Sequence, residues 1–127
     1  DTQATGGRRI LVVEDDEDIR GVVTRVLQDF GYRTLAAGSV AAAAAAIAAG
    51  QIVPDLVLTD LVLPDGTGRD VAAQTAGLQP APRLLFMSGH GRDEALESGI
   101  LRAADPLLTK PFTARELLSQ VADALAR

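Results

Sequence analysis

The sequence predicts an α/β fold, a doubly wound five-stranded parallel sheet with helices on both faces. Three observations predict it. Short apolar runs alternate with helical patterns five times along the chain, the order that builds a parallel sheet. The runs are continuously apolar rather than alternating, as strands buried on both faces are. The length, 127 residues, fits one domain with one core.

The elements follow in order. Residues 1–8 open with small polar residues and a Gly-Gly pair and read as a linker or arm. The run Ile10, Leu11, Val12, Val13 is the first strand. Ile19, Val22, Val23, Val26, Leu27 and Phe30 then recur at the spacing of an amphipathic helix, with Gly31 just past its end. A weaker strand spans 33–37. Ser39 can cap the next helix, nearly pure alanine over 41–46 and stopped by Gly50. Its composition predicts a thin helix lying close to the sheet.

Leu56, Val57 and Leu58 form the third strand, followed by a turn-rich loop at Pro64, Asp65, Gly66 and Gly68. A short helix is expected over 69–76. Residues 84–87 form the fourth strand. Residues 89–105 have the poorest pattern, and a short mobile helix is expected near 93–97. Leu107 and Leu108 make a brief fifth strand. Thr113 and Glu116 form a capping box before a last helix carrying Leu117, Leu118, Val121 and Leu125.

Composition excludes several classes. The net charge is −5, which argues against non-specific nucleic-acid binding. There is no Cys, so disulfides and thiolate metal sites are excluded, consistent with a cytoplasmic setting. No apolar run approaches a membrane span, and nothing resembles a secretory signal. The start at Asp1 rather than Met reads as a processed chain or a piece of a longer one.

Parallel sheets of this kind bind ligands at the carboxyl ends of their strands. There the chain places Glu14, Asp15 and Asp16 after the first strand, Asp60 after the third, Ser88 after the fourth and Lys110 after the fifth. Clustered carboxylates need a positive partner to stay ionised. Mg²⁺ suits them, since it takes oxygen ligands, commonly one or two carboxylates and a phosphate. Lys110 suits a phosphoryl oxygen as a point charge. Ser88 can hydrogen-bond another phosphoryl oxygen, and Asp60 can form an acyl phosphate.

Four segments, ILVVEDDEDIR (10–20), DLVLTDLVLPDGTG (55–68), LLFMSG (84–89) and LLTKPF (107–112), together resemble the receiver domain of bacterial two-component response regulators. The resemblance covers 9–127 and implies the flavodoxin-like (βα)5 fold. It implies phosphorylation of Asp60, with a Mg²⁺ (or Mn²⁺) site formed by Asp15, Asp60, the Val62 carbonyl and Glu14, the last directly or through water. It implies that Ser88 and Lys110 contact the phosphoryl group, and that the Lys110–Pro111 peptide is cis. The partners implied are a histidine kinase or a histidine phosphotransfer domain, with no nucleic acid, no membrane contact and a homodimer left open. As an isolated domain the chain would phosphorylate and dephosphorylate itself without turning over an external substrate.

One position departs from the family. The signalling switch involves Ser88 and a residue three before the lysine, commonly Tyr or Phe; here it is Leu107. The wording LLFMSGHG and LLTKPFTARELLSQVADAL is most similar to receivers at the C-terminus of hybrid sensor histidine kinases. The ending just after the last helix reads as a receiver with no DNA-binding effector attached, an ending stand-alone receivers share.

Alternatives can be weighed residue by residue. Asp16 reads as a helix cap rather than a ligand. His90, the one histidine, reads as a rim residue rather than a phosphoryl relay. Gly66 and Gly68 lack the lysine of a P-loop and serve loop geometry. A phosphatase that uses an aspartyl phosphate would want a second Asp two residues after the nucleophile, and position 62 is Val. A phosphorylation-independent interaction module on the same fold is the competing function, and Leu107 is its support.

Overall fold

The computed structural model describes residues 5–127. Five strands, β1 (Arg9–Val13), β2 (Arg33–Ala37), β3 (Leu56–Asp60), β4 (Arg83–Ser88) and β5 (Leu107–Thr109), form one parallel sheet in the order β2-β1-β3-β4-β5. The helices are α1 (Glu17–Asp29), α2 (Val40–Ala48), α3 (Gly68–Thr75), α4 (Arg92–Glu97) and α5 (Ala114–Ala126). The chain moves outward from β1 to β2, then returns across β1 to β3. The direction of winding reverses there, which opens a crevice at the carboxyl ends of β1 and β3.

The sheet is apolar on both faces because each face has its own helices. Ile10, Val12, Leu56, Leu58, Leu85 and Met87 point one way and pack with Val23 and Leu27 of α1 and Leu117 and Val121 of α5. Leu11, Val13 and Val57 point the other way, against Ala43 of α2 and Val71 of α3. The period of two along each strand is thus present but invisible as polarity. A third cluster, Leu61, Phe86, Ala95 and Leu101, lies under α4.

Local signals set the helix ends. The Asp16 carboxylate accepts from the Asp18 and Ile19 amides, so Asp16 is the N-cap of α1 as expected. Gly31 takes φ 109°, which only glycine adopts without strain, and ends that helix. Ser39 caps α2, and Ala43 is fully buried, so the alanine segment is the thin helix predicted. The Thr113–Glu116 capping box opens α5. A second box, Thr67 with Asp70, opens α3 and was not expected.

Four expectations need correction or addition. Val22, placed in the buried stripe of α1, is 63% exposed. The loop after β3 contains a two-stranded antiparallel ribbon, Val62–Leu63 with Gly66–Thr67. Within it the Asp65 carboxylate accepts from the Val40 and Ala41 amides at 2.8 and 2.9 Å, a second cap on α2 supplied from across the chain. The segment after α4 is tied down: Arg92 donates to the Ala103 and Asp105 carbonyls, and Arg69 to that of Ile100. Of the expected arm, residues 1–4 lie outside the described residues, whereas Thr5 is buried with its hydroxyl donating to the Gly31 carbonyl. No helix among the described residues is long and apolar enough to cross a membrane.

Candidate functional site

Adjacent strands β1 and β3 end side by side, and this brings the acids together. Glu14 and Asp15 follow β1 directly, and Asp60 is the last residue of β3. One carboxylate oxygen from each of Glu14, Asp15 and Asp60 lies within 4.8 Å of the others. Ser88 ends β4, and Lys110 follows β5 with its amide donating to the Ser88 carbonyl at 2.8 Å. The Lys110–Pro111 peptide is cis, as the resemblance implied. The Lys110 ammonium reaches over the crevice, 2.7 Å from Glu14 Oε1 and 2.6 Å from Asp60 Oδ1.

Burial makes this cluster unusual. Glu14 is fully buried and Asp60 is 4% exposed, while Asp15 opens to solvent. Carboxylates are rarely buried unless paired, because the low-dielectric interior disfavours their charge. One ammonium contacts two of the three clustered carboxylates, Glu14 and Asp60. Lys110 hydrogen-bonds Glu14, but its approach to Asp60 is close without hydrogen-bond alignment. Glu14 Oε2 and both Asp60 oxygens are buried with no hydrogen-bond partner among the described residues. Burial accordingly raises the Asp60 pKa above its ordinary value, offset in part by Lys110 and by the Asp15 backbone amide. Unpartnered oxygens on a half-open acidic crevice are what a hard divalent cation would satisfy, so the donor set fits Mg²⁺.

The surroundings hold the crevice in shape. Gly68 packs against the back of the site: a Cβ there would lie 2.5 Å from the Asp60 carbonyl oxygen and 3.0 Å from the Phe86 ring. Ser88 is nearly buried, and its hydroxyl accepts from the His90 amide at 3.0 Å. Val62 lies two residues past Asp60 in the ribbon with its side chain 64% exposed. His90 sits at the rim, its exposed ring 3.0 Å from Glu94. Leu107 is not at the carboxylates. It is half-buried on β5, directly across the ladder from Phe86, and packs on the cluster under α4.

Two residues at the site had no signal in the sequence. Arg20 of α1 donates from Nη1 to the Glu14 carbonyl at 2.8 Å. Arg69 of α3 lies over the Phe86 ring, 4.9 Å from its centroid, and pairs with Asp105. Arg20 acts on a backbone carbonyl, and Arg69 on a ring, a carbonyl and an acid 36 residues away, partners that local charge patterning does not reveal.

Comparison with known proteins agrees with this geometry. The sequence matches the response regulator receiver domain family over residues 10–122. It is 33% identical over 109 residues to the nitrogen assimilation regulatory protein NtrX of Azorhizobium caulinodans, covering 86% of this chain and 24% of that protein. The chain therefore spans about a quarter of the length of that relative. Among solved structures it is similar to a response regulator receiver protein from Sinorhizobium medicae, with a TM-score of 0.80 at 26% identity, covering 96% of this chain and 97% of that one. It is also similar to the chemotaxis protein CheY4 of Vibrio cholerae, with a TM-score of 0.78 at 27% identity, covering 92% and 98%. Sequence, sheet order and acidic crevice agree, and the chain belongs to the response regulator receiver domain family.

Proposed function

We propose that this receiver takes a phosphoryl group from a phosphohistidine onto Asp60 in a Mg²⁺-dependent reaction and signals through the change that follows. The observation that carries this reading is the state of Asp60: buried, lacking hydrogen-bond partners at both oxygens, beside Glu14 and Asp15 and 2.6 Å from Lys110.

Asp60, Asp15 and the Val62 carbonyl would hold the cation, with Glu14 binding directly or through water. When bound, it supplies charge neutralisation at the phosphoryl oxygens. The chain's own residues do the rest. An Asp60 carboxylate oxygen attacks phosphorus, the phosphorus–nitrogen bond to the donor imidazole breaks, and an acyl phosphate forms. Lys110 exchanges carboxylate contacts for a phosphoryl oxygen, which keeps its charge paired throughout. Ser88 releases the His90 amide and donates its hydroxyl to another oxygen. Hydrolysis of the acyl phosphate returns Asp60 and inorganic phosphate, so the domain acts on itself alone.

The donor is a histidine kinase or a histidine phosphotransfer domain. An apolar groove lined by Ile19, Val22, Val23, Pro111 and Phe112 opens beside Lys110 and suits a helix face of such a donor. The LLFMSGHG and LLTKPF wording supports a receiver tethered to a hybrid kinase core, working in the cytoplasm. A second reading, an interaction module independent of phosphorylation, is favoured by Leu107 alone.

The test is intact mass after incubation with Mg²⁺ and acetyl phosphate. The expected result is one added phosphoryl group, released by hydroxylamine and missing from Asp60→Asn. A chain left unmodified by acetyl phosphate and by kinases alike would favour the interaction module.

A further inference from the structure

The loop after Asp60 is held at its far end by a carboxylate bound to a helix rather than to the crevice. Asp65 sits at the tip of the ribbon, in the turn between Leu63 and Gly66. Its Oδ1 accepts from the Val40 amide at 2.8 Å and its Oδ2 from the Ala41 amide at 2.9 Å. The first amides of a helix have no partner within it. In α2 the Ala43 amide reaches back to the Ser39 carbonyl, and Ser39 Oγ accepts from the Ala42 amide at 3.0 Å. This leaves the Val40 and Ala41 amides, and Asp65 takes both. The other four described helices each carry an acid in their own first turn, whereas α2 carries none. The negative charge that its N-terminus favours comes from the ribbon instead.

The ribbon needs such an anchor. It has two rungs, and a two-stranded ribbon is marginal by itself. Of its four residues only Leu63 is buried. The tip comes in close to α2: a Cβ at Gly66 would lie 3.1 Å from Val40 Cγ2. Gln74 of α3 donates to the Val40 carbonyl at 3.3 Å, so the residue that Asp65 grips is itself held from a second helix.

The register identifies the backbone group that this anchor controls. The Gly68 amide donates to the Leu61 carbonyl at 2.8 Å, a bonded rung at the base of the ribbon. Bonded and unbonded rungs alternate in an antiparallel ladder, so the next one, Val62 opposite Thr67, is unbonded. The Thr67 amide accordingly goes to the Asp70 carboxylate, at 2.9 Å. The Val62 carbonyl is turned out of the ribbon, where the ladder makes no use of it.

We infer that Asp65 is a positioning residue for the cation site, pinning the ribbon to α2 and so fixing the direction of the Val62 carbonyl. This role rests on the Mg²⁺ site proposed for Asp15, Asp60 and Val62.

The test reads two quantities with no phosphodonor present: the Mg²⁺ dissociation constant, from saturation of backbone amide shifts, and the urea unfolding midpoint of the metal-free chain. Asp65→Ala is expected to weaken Mg²⁺ binding about tenfold, the low end for a group that orients a metal ligand. Asp65→Asn loses the same charge but keeps one acceptor oxygen, so its affinity should lie between that of Asp65→Ala and wild type. Ser39→Ala removes a cap from the same helix without touching the ribbon. It should lower the midpoint as Asp65→Ala does and leave the Mg²⁺ affinity unchanged. An Asp65→Ala chain with wild-type affinity overturns the inference. So does a Ser39→Ala chain that loses affinity in parallel, since helix stability would then explain both. Equal losses in Asp65→Asn and Asp65→Ala assign the effect to charge and overturn it as well. A wild-type chain whose shifts never saturate overturns the cation reading instead, and this role of Asp65 with it. If Asp65→Ala does not fold, Asp65→Asn and Ser39→Ala decide: weaker binding in the first alone upholds the role, and weaker binding in both or in neither overturns it.

Discussion

The two edges of the sheet both concentrate charge, but they hold it in opposite ways. At the carboxyl edge, Glu14 and Asp60 are buried against a single ammonium, and three of their oxygens lack hydrogen-bond partners. At the amino edge, Arg9, Arg33 and Arg83 begin β1, β2 and β4, all exposed. Arg9 stands directly opposite Arg33 in the ladder, a like-charge pairing that water tolerates at an exposed edge. Arg9 pairs with Asp55 at 3.5 Å, their side chains 46% and 34% exposed. Such pairs contribute about 0–1 kcal/mol. Charge density alone therefore distinguishes nothing. Burial of two carboxylates against one ammonium does, because it lowers stability and persists only where the site has a use for it.

The sharpest way to break the comparison is at Asp60. Asp60→Asn should abolish phosphoryl incorporation in the mass measurement. It should also make the metal-free protein more stable at neutral pH, since it removes a charge the interior disfavours. The sign with pH follows from the raised pKa. Above the folded-state value Asp60 is ionised in both states, and the folded chain bears the full cost. As pH falls through that value toward 3.8, the folded state takes up a proton first and the cost fades. The stability advantage of Asp60→Asn, followed by urea unfolding, should accordingly shrink on acidification.

Next in size is Lys110→Met, which strands Glu14 and Asp60 without their cation. A loss of about 3 kcal/mol is expected, at the lower end for a broken buried pair because the lysine is partly exposed. Mg²⁺ should recover part of it. Gly68→Ala should follow, at about 2 kcal/mol, since its Cβ would press on the Asp60 backbone, which cannot swing aside. Chemical denaturation of each variant checks both. The smallest effect belongs to the other edge. Arg33→Ala should change stability by less than about 0.5 kcal/mol, and a loss several times larger would erase the contrast drawn between the edges.

What could be read from the sequence follows the same physics. Strands buried on both faces appear as unbroken apolar runs, so β1, β3 and β4 were legible. Glu14, Asp15, Asp60 and Lys110 were legible because each stands where a strand ends. Val22 was misplaced because helical spacing fixes a stripe without saying where the covered face stops, and Val22 lies beyond its margin, in the groove beside Pro111 and Phe112. The Asp65 cap on α2 joins residues 24 and 25 apart in the chain, beyond the reach of local turn chemistry. Arg20 stayed hidden because a backbone carbonyl has no residue type to betray it, and Arg69 because its acid, Asp105, lies 36 residues away in the chain.

The central claim is that the buried acids at the carboxyl edge share a divalent cation, and Mn²⁺ in place of Mg²⁺ tests it most directly. Paramagnetic broadening of backbone amide signals should saturate and centre on Asp15, Asp60 and Val62, with Arg9 and Arg33 untouched. Broadening that never saturates, or that centres on the exposed acids Asp16, Glu17 and Asp18, would contradict it.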